Sequence, residues 1–306
     1  MGMAEGILLT IITAATPLLI AALGELVAER SGVLNLGVEG MMAVGAVCGF
    51  AVAFETGQPA LGVLAAIIAG ALTSILFSVV TLIFVANQVA SGLALTLFGL
   101  GLSGMIGTAY VGRPGERLAA LDIPVLSDLP IVGSLVFGLD PITYIAIALA
   151  IAVWLFLFRS RAGLVLRAVG DNHTSAHALG YGVIKVRFFA VLFGGACAGL
   201  AGGYLSLVYT PQWAQSMIAG RGWIALALVV FATWLPGRVV LGALLFGAVS
   251  ILQLHAQAYG VGVPSQFLSA LPYLTTVLVL VIISRNRTLL RVNTPACLGQ
   301  PFVPDR

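Results

Sequence analysis

Residues 188–208 read FFAVLFGGACAGLAGGYLSLV, a stretch with no Asp, Glu, Lys or Arg. Roughly 18–20 apolar residues in a row suffice to cross the hydrocarbon core of a bilayer as one helix. The run carries a second signal. Gly195, Gly199 and Gly203 recur at every fourth position, and Gly45 with Gly49 repeats the spacing elsewhere. On a helix such glycines form a bare stripe that lets another backbone approach closely, which is how membrane bundles gain van der Waals contact. Packing within the chain is the leading reading of this stripe, ahead of a subunit interface.

The rest of the chain repeats the theme. Of its 306 residues, 60% are hydrophobic and 8% charged, with a mean hydropathy of +1.11. A soluble domain carries roughly 25% charged residues, so most of this surface faces something other than water. Apolar segments near 7–24, 33–54, 60–84, 91–111, 141–158, 188–208, 222–235, 239–256 and 267–284 predict an all-α, polytopic transmembrane bundle. The count is about nine spans, within a range of about eight to ten. One transmembrane domain over 1–291 is expected, then a disordered cytoplasmic tail over 292–306 containing Pro295, Pro301 and Pro304. The start, MGMAEG, lacks the basic region of a cleaved signal peptide, so the first run is expected to remain as a helix. Cys48, Cys197 and Cys297 are scattered and odd in number, giving neither a disulfide framework nor a metal-binding spacing.

Orientation follows from the basic residues. Arg159, Arg161, Arg167, Lys185 and Arg187 crowd one connection against a single Asp171. Arg238 and the group Arg285, Arg287 and Arg291 fall on the same side by parity, expected to be cytoplasmic. Segment 112–140, with Glu116, Asp122, Asp128 and Asp140, is expected outside, and so is the N-terminus.

Three stretches break the apolar pattern in informative ways. Residues 24–42, GELVAERSGVLNLGVEGMM, hold Glu25, Glu29, Glu39, Arg30 and four glycines. Like charges at i and i+4 disfavour a free helix, so 24–32 is expected to be a cytoplasmic loop. Residues 33–40 are expected to begin the next helix discontinuously, and irregular backbone at membrane depth commonly lies along a transport path. For Glu39 an ion-pair or capping role leads over substrate contact, although an intramembrane carboxylate carries a functional hypothesis by default. Asn35, Glu39, Gln253 and His255 are therefore the candidates for a translocation path. Trp213, Trp223 and Trp234 suit an interfacial aromatic belt.

Residues 167–187, RAVGDNHTSAHALGYGVIKVR, hold a two-turn helix. Asp171 or Asn172 is a good N-cap, and Gly180 suits the position after the C-terminus. So short a helix is unstable alone in water, and it is too small and Ala-rich for a membrane-surface helix. A docking knob or a plain connection remains.

The pattern R-A-V-G-D-N-x-x-x-A-x-x-x-G, followed by GGACAGLAGG, resembles the coupling segment of ABC importer permeases of the branched-chain amino acid, ribose and nucleoside group. ERSGVLNLGVEGMM at 29–42, GRGWIALALVVFATWLPGRVVLGALLFG at 220–247 and YGVGVPSQFLSALPYL at 259–274 are similar to segments of its nucleoside-type members. The resemblance implies a multi-pass subunit of the bacterial inner membrane. It would import nucleosides or related purine compounds by alternating access, with simple sugars, flavin-like vitamins and branched-chain amino acids behind them. Arg167, Gly170, Asp171, Asn172, Ala176 and Gly180 would be the coupling stretch, its small side chains fitting a cleft on a separate ATPase subunit. That partner would hold ATP and magnesium, and this chain no cofactor or metal of its own. A second, different permease chain and an extracytoplasmic binding protein would complete the assembly, with no nucleic acid involved.

The chain has no GxxxxGK[ST] loop around its single Lys185, so it does not hydrolyse ATP by that route. A gradient-driven secondary transporter would want paired intramembrane ionisable groups, and Glu39 lacks a counterpart in the second half. Gly101–Leu102–Ser103–Gly104 has the GxSG form of an intramembrane protease with His255 as base. A chain with 37 glycines produces that form by chance. No enzymatic activity is expected.

Overall fold

The computed structural model describes residues 3–119, 121, 137–258, 264–284 and 293–304. Those residues are built from helices: α1 (Met3–Arg30), α2 (Val38–Thr56), α3 (Pro59–Ser78), α4 (Gln88–Gly107), α5 (Pro141–Arg159), α6 (Arg161–Asp171), α7 (His173–Ala178), α8 (Val183–Tyr204), α9 (Arg221–Phe231), α10 (Pro236–Ala258) and α11 (Ser265–Ser284). An isolated bridge, Pro114 to Gln212, is the one β pairing among the described residues.

Among the described residues, seven segments are long and apolar enough to cross a membrane: Glu5–Arg30, Val38–Thr56, Pro59–Ile83, Gln88–Tyr110, Pro141–Arg159, Val183–Tyr209 and Pro236–Ala258. The expected span at 222–235 is the main departure. It is α9, an 11-residue helix of about 16 Å, roughly half the depth of a bilayer core. It stops because Thr233 and Trp234 both adopt positive φ, 48° and 53°, and turn the chain. Pro236 then opens α10.

The glycine stripe of α8 packs within the chain. A Cβ on Gly199 would strike the Ala66 carbonyl, one on Gly195 would strike Ser74, and one on Gly202 would strike the Met42 carbonyl. Gly45 lies where a Cβ would come within 2.5 Å of the Gly199 backbone. α2, α3 and α8 therefore meet backbone to backbone, and α1 joins them where Gly24 faces Gly194 and Cys197.

Three expectations are corrected. Residues 24–30 are the last turns of α1 rather than a loop. Glu25, Glu29 and Arg30 are all buried; each carboxylate has its own hydrogen-bond donor, so the like-charge spacing does not break the helix. Trp213 and Trp234 are core residues, and of the three only Trp223 is exposed. The tail is docked rather than disordered over 293–304: Cys297 N–H donates to Gly170 O (2.9 Å) and Gly299 N–H to Gly32 O (3.1 Å). Its prolines do not prevent this, because the chain is held by its other amides and by Arg30, which donates to Asn293 O at 2.9 Å. Arg285, Arg287 and Arg291 lie outside the described residues.

Candidate functional site

The non-helical residues between α1 and α2 are enclosed by protein, and their polar groups are taken up by side chains. Asn35 N–H donates to Glu25 Oε1 (3.1 Å), and Asn35 Oδ1 accepts from Gly37 N–H (2.9 Å). Leu34 N–H donates to Gln88 Oε1 at 2.8 Å, and Leu36 O accepts from Thr96 Oγ1 at 2.9 Å. Irregular backbone in an apolar bundle survives only under such conditions.

The discontinuity positions Glu39. Buried in the first turn of α2, it accepts Gly220 N–H through Oε1 and Gly222 N–H through Oε2, each at 2.7 Å. A carboxylate across free amides at a helix start is favourable in charge and hydrogen bonding. The contact needs Gly222: a Cβ there would lie 2.6 Å from Glu39 Cα. Glu39 thus caps the half-length helix α9.

Between the two capped glycines stands Arg221. Its guanidinium lies 5.4 Å from the Tyr209 ring centroid and donates to Met217 O at 2.7 Å. It borders a cavity of about 290 Å³ whose polar lining includes Tyr209, Ser250, Gln253, Ser269 and Tyr273. Gln253 Nε2 reaches Ser269 Oγ at 3.4 Å. Of the path residues expected from sequence, Glu39 and Gln253 fall on either side of the Gly220–Arg221 turn. Asn35 is buried and engaged by its neighbours, its Oδ1 by Gly37 N–H and its Nδ2 by Met41 Sδ at 3.6 Å. His255 bonds to Ile251 O of its own helix at 3.0 Å. Arg221 was missed by sequence reasoning; a lone arginine between two glycines in an apolar stretch was its signal.

A second locus forms around α7. Asn172 caps it, Oδ1 accepting from Ser175 N–H at 2.9 Å, and Gly180 follows it at φ 88°. Asp171, Asn172 and Gly180 are exposed, and Arg167 is half-buried with its guanidinium 5.1 Å from the Phe158 centroid. Ala176 and Gly170 face inward. Ala176 packs with Val169 and Val183, and a Cβ on Gly170 would strike Arg30 O. The outward apolar groups are Leu179, 76% exposed, and Tyr181, 43% exposed, neither of which the motif singled out. Arg187 Nη2 donates to His173 Nδ1 at 3.2 Å; burial first, then the Arg187 charge, lowers the His173 pKa.

Residues 7–283 match the family described as branched-chain amino acid transport system, permease component. The chain belongs to this permease family. It is 39% identical over 324 aligned residues to TsgC13 of Haloferax volcanii, provisionally named a glucose ABC transporter permease, covering 99% of this chain and 98% of the relative. The guanosine ABC transporter permease NupQ of Bacillus subtilis is 34% identical, covering 95% and 94%. The nucleoside ABC transporter permease NupC of Lactococcus lactis is 33% identical, covering 87% and 88%. No solved structure matches.

The permease is thus a multi-pass transport component related to ABC transporter permeases along almost its whole length. Its Ser103 is a buried residue of α4 beside a cavity of about 120 Å³ under Trp213. Among the described residues, no group of three or more His, Cys, Asp or Glu is placed to hold a metal ion.

Proposed function

We propose that this permease is the membrane subunit of an ATP-driven importer for nucleosides, with related purine compounds and simple sugars as neighbouring substrates. The observation that carries the reading is the Glu39 cap on α9, which holds Arg221 at a polar cavity inside an otherwise apolar bundle. Tyrosine faces with Arg, Gln and Ser donors suit an uncharged ring bearing several hydroxyls. The printed names of the relatives, guanosine, nucleoside and glucose permeases, support the same class.

In this reading Asn35, Glu39, Gln253 and His255 flank the path, and Arg221 contacts the solute. The segment Arg167–Gly180 couples to a separate ATPase subunit that holds ATP and magnesium. α9 with its approach segment and α11 complete about nine crossings of the bacterial plasma membrane. A second, different permease chain would form the other half of the path, and an extracytoplasmic binding protein would deliver solute. Residues 1–291 act as one transmembrane domain.

A gradient-driven carrier is disfavoured by the same cap: both Glu39 oxygens are engaged by backbone amides, a poor arrangement for a carboxylate that must cycle protons. The test is uptake of labelled guanosine, other nucleosides, nucleobases, pentoses, glucose, riboflavin and branched-chain amino acids in cells with and without this chain. Loss on ATP depletion supports the importer. Loss on uncoupling at maintained ATP overturns it.

A further inference from the structure

The C-terminal segment that sequence left without a role is built into the α7 locus. The Phe302 ring lies between the imidazoles of His173 and His177, at centroid distances of 5.2 and 5.3 Å. These are i and i+4 positions, so one ring spans successive turns of α7. Phe302 also packs onto Val169, Ala176 and Val183. Upstream in the same segment, Gln300 O accepts from Arg187 Nη1 at 3.0 Å.

Arg187 joins three elements. Besides Gln300 it donates through Nε to Ser31 O (3.2 Å) and through Nη2 to His173 Nδ1 (3.2 Å). It is 1% exposed, so these bonds replace water and set the geometry closely. The linkage continues inward. Arg30 donates to Asn293 O and, through Nε and Nη2, to Trp234 O at the turn that ends α9. The other end of α9 is the one Glu39 caps beside the cavity.

We infer that residues 293–304 are a strap that positions α7, with Phe302 and Arg187 as positioning residues through which movement of α7 reaches the α1–α2 turn and α9. This deepens the proposed coupling role of α7 and rests on it. A six-residue helix tethered only by its flanking chain would tilt freely. The strap holds it at the His173 and His177 rings and leaves Leu179 outward, so displacement of α7 is transmitted to the bundle.

The test uses the assembled transporter in proteoliposomes with whichever labelled solute from the uptake panel it imports. Phe302→Ala, Phe302→Tyr and deletion of 301–306 are compared with wild type for uptake, ATP hydrolysis, retained ATPase subunit and melting temperature. Phe302→Ala and the deletion should lower solute imported per ATP by about tenfold, within the range for residues in a coupling network. Melting temperature and subunit retention should hold, and Phe302→Tyr should restore coupling. Unchanged import per ATP in both variants overturns the strap. So does a parallel fall of uptake, hydrolysis and melting temperature, which would make it a structural prop. A photo-crosslinking residue at Leu179 of the otherwise wild-type chain separates the two readings. Failure to link the ATPase subunit overturns docking and the strap together, whereas a crosslink with unchanged coupling overturns the strap alone.

Discussion

Glu29 and Trp234, 205 positions apart, are joined by a 2.6 Å hydrogen bond from the indole Nε1–H to the carboxylate Oε2, both side chains buried. The bond ties the end of α1 to the turn that ends α9. Trp234→Phe keeps most of the apolar volume but removes the donor, leaving a buried carboxylate short of a partner. Such a loss costs about 1–3 kcal/mol. The expected outcome is a lower melting temperature in detergent. The double change Trp234→Phe with Glu29→Leu should recover part of it, since the orphaned acceptor is then gone. Full additivity of the two changes would show that the bond contributes nothing.

The cap on α9 makes a graded prediction. Glu39→Ala frees two buried amide donors, Gly220 and Gly222, whereas Glu39→Gln retains one good acceptor oxygen. Uptake should fall about 10- to 100-fold for Ala, at a cost of roughly 1–3 kcal/mol, and less for Gln, with both proteins inserted in the membrane. Equal, complete loss in both variants, with stability intact, would give the carboxylate charge a direct part in transport.

Glycines differ in what a methyl group would meet. A Cβ at Gly199 runs into the Ala66 carbonyl and the Gly70 backbone, neither of which can rotate away, whereas Gly104 has nothing within 4 Å. Gly199→Ala should spread α3 from α8 and cost about 1–3 kcal/mol by overpacking; Gly104→Ala should be neutral. Expression level and melting temperature decide it. A tolerated Gly199→Ala would mean that these helices have slack.

What the sequence displayed and what it hid follow from the range of the interactions. The helical membrane class was legible in runs such as 188–208, because desolvation of apolar residues is a local, additive property. The caps of α7 were legible for the same reason: Asn172 and Gly180 act within a few residues of themselves. Glu25 and Glu29 were misread because their donors, the Asn35 amide and the Trp234 indole, belong to other elements. Arg221 and the 293–304 strap were hidden likewise, since the groups that give them meaning meet only in the fold. α6 (Arg161–Asp171) was not anticipated, since its arginines were read for orientation alone.

The residues of the proposed coupling motif differ in direction. Ala176 faces Val169 and Val183, and Leu179 faces outward. Ala176→Trp should therefore push α7 off its own bundle and lower the melting temperature. Leu179→Asp should leave stability within about 0.5 kcal/mol of wild type yet weaken retention of the ATPase subunit. Co-purification and thermal unfolding, measured on the same preparations, separate the two. If Ala176→Trp keeps wild-type stability and loses only the partner, the inward placement of Ala176 does not describe how the motif works.

The contact between His173 and Arg187 predicts a pH dependence of strap docking. The guanidinium can only donate, so His173 Nδ1 must accept, and the docked ring is neutral with its proton on Nε2. Burial and the facing Arg187 charge both lower its pKa below the ordinary value. His173 in the folded chain therefore binds fewer protons than a free imidazole, and the strap reaches it through the Phe302 ring packed on its imidazole. Docking is fully stabilised above pH of about 6.5, the ordinary histidine pKa, and is lost as pH falls from there through the lower docked value. Hydrogen exchange at the Cys297 and Gly299 amides, corrected for the intrinsic pH effect, should show protection falling over that window. His173→Gln, which keeps an acceptor without a titrating ring, should flatten the response. Equal protection at pH about 7.5 and 5 in the wild type would remove His173 as the titrating group.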